Sequence, residues 1–377
     1  MEPTTTAIGT WSGGRFMHFG EPLEDERLST LLRPGAGIDT VITADVYGSG
    51  EADLALGRAL EGLPREDYCL VGAIGHDFYT GERNGAKGFP RFTDLRLRGE
   101  EGYAQYVREA TERSLERCGV ERFDLLLLHN PDHIGYSSPV VWEGMQAVRD
   151  AGLTDSLGVA PGPANGFTLD LIDCLERFGE LIDWAMIILG PLEPWPGELV
   201  LDAAAKHDVS LITRVVDYGG MFHDDVLPGH AFATYDHRKF RPDGWVQAGR
   251  EKLELMRPYA QRHGLTMLQL ACAWNLAQPG VRCVVPSLIQ ESGSQARAIE
   301  DKRAELAAVK ADAILGDDEV DAIRAIGENT GCMALKGASL EHEGSALADR
   351  WSVDDQLSQV AGRWGIDLER DLLPHAV

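Results

Sequence analysis

Three kinds of side chain in this sequence could together move a proton: a phenol, Tyr47; a carboxylate, Asp45; and imidazoles, His129 and His76. In Thr43-Ala44-Asp45-Val46-Tyr47, alternate residues share a face if strand geometry persists to Tyr47. Asp45 and Tyr47 would then stand together at a strand's end, just before Gly48. The competing reading of the same residues is an incidental Asp and Tyr in a surface turn. His129 closes the apolar run Phe123-Asp124-Leu125-Leu126-Leu127-Leu128, and His76-Asp77 follow another run ending at Ile74. Brought together at adjacent strand ends, these groups form a proton-transfer set. A free phenol titrates near 10, so Tyr47 would need a cation or a hydrogen-bond network to serve at neutral pH.

The elements that must position them alternate regularly. Short apolar segments read as strands at Ala7–Trp11, Ile38–Ala44, Tyr68–Ile74, Phe123–His129, Ser156–Ala160, Trp184–Leu189, Ser210–Val216 and Val281–Pro286. Helical patterns fall between them, among them Glu51–Leu60, Glu100–Cys118, Pro139–Ala151, Phe167–Phe178 and Trp245–His263. Eight strands alternating with helices predict an α/β fold, a (β/α)8 barrel. An open doubly wound sheet lacks its Gly-x-Gly-x-x-Gly signature. Residues 1–336 read as the barrel with its following helices, and residues 337–377 as a C-terminal helical extension. Function then belongs to the loops after the strand ends. These bring forward Trp11, His76 and Asn130 and, after strand six, Glu193 and Trp195. The long loops Gly75–Arg98 and Asp217–Gly244 read as lids or as disordered segments, the first also as packing against neighbouring loops. Asn329–Lys336, with Cys332 and Met333, reads either as a further lid or as packing.

In this order the chain resembles the aldo-keto reductases. The resemblance rests on Asp45-Val46-Tyr47-Gly48 with the helix Glu51…Leu56-Gly57-Arg58-Ala59-Leu60, and on Arg113-Ser114-Leu115. It rests also on Asp124-Leu125-Leu126-Leu127-Leu128-His129-Asn130-Pro131-Asp132 and on Val284-Val285-Pro286. It spans about residues 5 to 330. The resemblance implies an oxidoreductase acting on a small carbonyl or hydroxyl compound, possibly sugar-like, with NADP(H) lying across the barrel mouth. It implies Tyr47 as general acid, Asp45 as its electrostatic support and His129 orienting the carbonyl. Trp11, His76, Asn130 and Trp195 become candidates for substrate contact.

Five departures stand against this pattern. The family's strand-three lysine is here Ala73, its Ser-Asn after strand five is Ala160-Pro161, and its strand-six glutamine is Met186. The strand-seven aromatic is replaced near Arg214, and no basic residue stands in Ser287-Leu288-Ile289-Gln290-Glu291. Arg214 or Lys87 would have to supply the missing cation. Ser287, with Arg297, Lys302 or Arg303, would have to hold the cofactor phosphate. The alternatives are redox-neutral chemistry on Asp45, Tyr47 and His129 (a lyase, isomerase or hydrolase) or a non-catalytic cofactor sensor.

Composition bounds the partners. The 377 residues are 44% hydrophobic and 25% charged, with 60 acidic against 35 basic residues and a net charge of −25. That balance disfavours nucleic acid and anionic membranes and leaves a small molecule as the expected partner. Six separated cysteines without Cys-x-x-Cys read as buried free thiols, and no signal peptide or membrane span is evident, so a cytoplasmic location is expected. His223, Asp224, Asp225, His230, Asp236 and His237 lack metal-ligand spacing and read as a polar lid, with no metal.

Overall fold

The computed structural model describes residues 1–85, 88–162, 167–241, 243–312, 314–330 and 353–372. Eight parallel strands pair in sequence order, forming a nearly closed (β/α)8 barrel. They are β1 (Ala7–Gly9), β2 (Thr40–Ile42), β3 (Cys69–Ile74), β4 (Phe123–His129), β5 (Thr154–Ala160), β6 (Trp184–Ile188), β7 (Ser210–Arg214) and β8 (Val281–Val285). The last gap is bridged where Thr6 pairs with Val284, next to β1. Every strand begins within a few residues of its expected start. Several end sooner, and β2 is the consequential case.

Helices α1 (Asp25–Leu32), α2 (Glu51–Leu60), α3 (Tyr103–Cys118), α4 (His133–Ser137), α5 (Pro139–Asp150) and α6 (Thr168–Phe178) surround the first half. Helices α7 (Leu201–Lys206), α8 (Trp245–His263), α9 (Met267–Leu276), α10 (Ile299–Ala307) and α11 (Asp317–Gly327) complete the ring, and α12 (Asp355–Arg363) follows. No helix among the described residues is long and apolar enough to cross a membrane. The boundary expected at residues 336 and 337 lies outside the described residues, as do Cys332 and Met333.

Two apolar layers follow from strand alternation. Val41, Leu70, Leu126, Leu128, Val159 and Leu211 face outward beneath the helices. Ile42, Ala44, Cys69, Val71, Ala73, Leu125, Leu127, Ala160, Trp184, Met186, Ile212, Cys283 and Val285 fill the barrel interior. The interior layer is the floor on which the site stands. Ala73 and Met186 therefore occupy inward positions, with methyl and thioether groups where the resembled family has amine and amide.

Candidate active site

A turn carries Tyr47 into the barrel. β2 ends at Ile42, and the Tyr47 amide donates to the Ala44 carbonyl at 3.0 Å, closing a tight bend. The bend breaks the alternation, so Tyr47 packs on the interior layer with Val46. Its ring meets His129 edge-on, centroids 5.7 Å apart at 88°, and Trp11 at 6.4 Å and 78°. Trp11 folds back over Gly9, where a Cβ would lie 2.3 Å from the indole. Only glycine leaves room for that ring.

Asp45 does not join this group, which corrects the expectation that it shares a face with Tyr47. It continues the outward register of Val41 and Thr43. Thr43 bonds Asp53 of α2 at 2.8 Å, and Asp53 is held by Ser114 and Arg117 of α3. Asp45 is fully buried and neither of its oxygens has a hydrogen bond. Burial, and next the charge of Asp53, push its carboxyl well above the usual range despite Arg117. The carboxylate beside Tyr47 in the sequence thus lies behind the barrel wall.

Imidazoles line the other side of Tyr47. His129 ends β4 on its inward face, nearly buried, with Nδ1 unpartnered. Burial, reinforced by Arg214 and Arg91, lowers it to about 3, so it is neutral in the working range. His76 lies edge-on to His129 at 5.3 Å. Its Nε2 accepts from the Asn130 amide at 3.1 Å, and its Nδ1 bonds the Phe89 carbonyl at 2.9 Å. Burial and then Arg91 drive His76 well below its ordinary value. Asn130 adopts φ 47°, a conformation asparagine tolerates, and its carbonyl accepts from Arg91 Nε. His76 and Asn130 are thus bonded to each other beside His129.

The cation comes from the far wall. Arg214 ends β7, two residues after inward-facing Ile212, and its Nη2 reaches past β6 to the Pro161 carbonyl after β5 at 2.7 Å. Burial lowers its own value while Tyr47, Tyr136 and Glu193 raise it, and its charge draws the Tyr47 phenol down. Burial outweighs that pull, and the phenol stays above its ordinary 10. Val215, directly after Arg214, has φ 61°, a costly conformation for a β-branched residue. Glu193, past β6, is 1% exposed with both oxygens unpartnered, and Arg214 Nε is also buried without an acceptor.

The remaining candidates are held by the chain itself. Arg297 pairs with Glu305 and donates to the His223 carbonyl at 3.1 Å. Arg303 donates to the carbonyls of Leu31, Arg33 and Gly35 at the end of α1. Lys302 is fully buried on Asp225 at 2.6 Å. These three are structural cations, which corrects their expected role at a phosphate. Ser287 is fixed through its backbone, its amide donating to Asp217 at 2.7 Å and its carbonyl bonded by His223. Trp195 is buried away from the phenol: its amide donates to Asn329 at 2.9 Å and its indole to the Asp371 carbonyl. That packing replaces the expected substrate contact. Lys87 lies outside the described residues.

Most of the acidic and imidazole side chains of the second lid are engaged within the chain. Asp224 pairs with Arg250 and Arg257, His230 and Arg238 with Glu291, and Asp236 with Arg238. Among the described residues no group of three or more His, Cys, Asp or Glu could hold an ion. Arg91, within the first long loop, has no signal in its local sequence that would set it apart, yet it bonds the Asn130 carbonyl and lies against His76.

Residues 7–324 match the family model described as Aldo/keto reductase family. A probable voltage-gated potassium channel subunit beta from Arabidopsis thaliana is 24% identical over 304 residues, covering 76% of this chain and 86% of that protein. The solved glycerol dehydrogenase of Gluconobacter oxydans superposes with a TM-score of 0.63 at 21% identity, over 85% of this chain and 90% of that one. An aldo-keto reductase from Klebsiella pneumoniae in complex with NADPH gives 0.54 at 18% identity, over 86% and 95%. At these identities the structural likenesses speak for the fold alone.

Proposed function

Because this chain belongs to the aldo/keto reductase family, whose model matches nearly all of its barrel, we propose that it interconverts a small carbonyl compound and its alcohol with NADP(H). The observation that supports this reading is the Tyr47 phenol set edge-on against His129 on the inward face of the barrel, with the charge of Arg214 on β7 drawing the phenol down where β3 offers only Ala73. In this reading Arg214 supplies, from a different strand, the cation that Ala73 does not. The residues at the mouth also fit the nicotinamide end of the cofactor. Glu193 presents two unpartnered oxygens and Arg214 an unpartnered N–H, an acceptor and a donor that a carboxamide complements. A bound cofactor of this kind supplies or removes the hydride.

The chain's own residues do the rest. Tyr47, protonated at neutral pH, donates its Oη proton to the substrate oxygen as negative charge develops there. Neutral His129 orients that oxygen, and its ring is held in turn by His76 and Asn130. Trp11 covers Tyr47 and helps to keep water from it. Arg214 stabilises the phenolate left behind.

Fluorescence titration with NADPH and NADH, followed by a panel of small aldehydes and ketones, tests this. Saturable binding and cofactor oxidation are expected. Tyr47→Phe should keep the binding and lower kcat by ~10²–10⁴-fold. Arg214→Met should lower kcat at least tenfold, with Arg214→Lys recovering part. Absence of saturable binding by either cofactor refutes the reading. It would favour redox-neutral chemistry at Tyr47 and His129, for which one observation speaks: Arg214, near the position of the family's stacking aromatic, is bonded to the Pro161 carbonyl after β5.

A further inference from the structure

The chain after β3 borders a space that the proton-transfer groups do not use. A cavity of about 770 Å³ lies between the loop that runs from Thr80 to Leu97 and the start of α4. That volume is in the range of small-molecule sites. Phe89, Pro90, Leu95, Leu97 and Ile134 give it an apolar lining. Leu95 is 71% exposed, the most exposed large apolar side chain among the described residues. A lone exposed leucine is ordinary, whereas one that joins four apolar neighbours around a cavity marks a surface that a ligand can cover.

Charge in the lining is balanced. Arg83, Arg91 and Arg96 are matched by Glu82, Asp94 and Asp132. Asp94 pairs with Arg96, Asp132 takes the Thr93 hydroxyl at 2.7 Å and the Gly135 amide at 2.8 Å, and Arg91 donates to the Asn130 carbonyl. Such a lining favours a neutral group over an ion. One wall of the cavity is also a wall of the reaction site. The Asp77 amide donates to the Pro90 carbonyl at 2.8 Å and the Phe92 amide to that of Gly75 at 3.0 Å, with His76 paired antiparallel to Arg91 between them. His76 Nδ1 bonds the Phe89 carbonyl at 2.9 Å, and Arg91 Nη1 lies 3.3 Å from the same nitrogen. Phe89, Pro90 and Arg91 thus line the cavity and hold His76 beside His129.

We infer that this cavity is a distal substrate subsite, which takes a neutral apolar ring system attached to the reacting carbonyl. For its reaction the inference rests on the reading above, and for its ligand on the cavity alone. With the carbonyl at Tyr47 and His129, the ring would extend past Arg91 to Leu95. Covering the five apolar side chains removes their surface from water and supplies affinity that a short aliphatic carbonyl cannot reach.

N-phenyl-1-naphthylamine, an uncharged dye that fluoresces in apolar sites, tests the cavity on the full chain without cofactor. The ratio of kcat/KM for 2-naphthaldehyde to that for propanal, measured with NADPH, tests its place in the reaction. Leu95→Asp puts a charge on the lining, and Leu255→Asp, at an exposed leucine of α8, is the control. Thermal midpoints check the fold. Saturable dye binding, displaced by 2-naphthaldehyde, is expected in wild type and Leu255→Asp and should weaken roughly tenfold in Leu95→Asp. The kcat/KM ratio should fall by a similar factor in Leu95→Asp and hold in Leu255→Asp. Absence of saturable dye binding in wild type, or equal binding by all three proteins, overturns the subsite. The expected dye pattern with an unchanged ratio also overturns it, because the cavity then lies off the path of the substrate. The expected dye pattern with no oxidation of NADPH by either aldehyde leaves the apolar site standing and overturns the reductase reading instead.

Discussion

At the residue scale, charge is the deciding quantity. The two imidazoles beside Tyr47 are kept neutral by burial and by the guanidiniums of Arg91 and Arg214, His129 falling to about 3 and His76 well below its ordinary 6.5. Tyr47 is held above its ordinary 10. No group described at the phenol changes charge in the neutral range. The kcat for carbonyl reduction is therefore expected to be flat from about pH 5 to about pH 9, falling only as the phenol ionises. A steady-state profile with an inflection near 6.5 would contradict this, since it would require a histidine to titrate in the site. Asp45 gives the second test. Its folded value lies well above its unfolded value of about 3.9. The native state therefore binds more protons across that window, and stability falls as pH rises through it. Asp45→Asn is expected to flatten this dependence and to raise stability by on the order of 1–2 kcal/mol at pH 8, leaving kcat close to wild type. Denaturant titrations at several pH values check it. A collapse of kcat in Asp45→Asn would return Asp45 to the proton-transfer set.

At the scale of elements, the alternation of strands and helices was legible because apolar periodicity reports burial directly. The inward positions of Ala73, Met186 and His129 follow from the same count of two. What escaped was the point where counting stops. A strand ending at Ile42 rather than Ala44 is invisible in Thr40–Ala44, whose residues all suit a strand, yet the bend that follows decides which of Asp45 and Tyr47 enters the barrel. Arg214 was legible as a substitution, but its reach to Pro161 was not, because that partner lies 53 residues earlier, after β5, and meets it only in the folded barrel. The basic residues of α10 misled for a related reason: helix position alone does not say whether a cation faces a ligand or a buried carboxylate. Lys302 tests that distinction. Removing it leaves Asp225 buried and unneutralised, so Lys302→Met is expected to cost about 3–5 kcal/mol in denaturant unfolding. At temperatures where the variant is folded, its NADPH affinity should stay within twofold of wild type. A selective loss of affinity with stability intact would make Lys302 a ligand-binding residue.

At the scale of the whole molecule, chain that follows the barrel packs back onto α6 and onto the loop after β6. α12 buries Leu357, Val360 and Ala361 and packs against α6, with Gln356 on Asp173 and Arg363 and Trp364 on Glu176. Ile366 and Leu372 join the same apolar layer that lies under the helices. Further on, the Asp371 carbonyl takes the indole N–H of Trp195, whose backbone is clasped on both sides by Asn329. The segment therefore shares a core with the barrel, and we propose that it folds as part of it rather than as a separate unit. Five buried apolar side chains represent several kcal/mol of transfer free energy, part of which is offset by the entropy of ordering the segment. Deleting residues 353–377 is expected to lower stability by roughly 2–5 kcal/mol on that balance. It should also shift tryptophan emission to the red as Trp195 gains water. Because Trp195 and the segment bond to each other, to Asn329 and to α6 rather than to Tyr47, His129 or Arg214, the deletion should change kcat much less than it changes the thermal midpoint. An unchanged midpoint and spectrum would mark the segment as an appendage that the barrel does not use. A loss of activity ahead of any loss of stability would instead place it among the groups that shape the mouth.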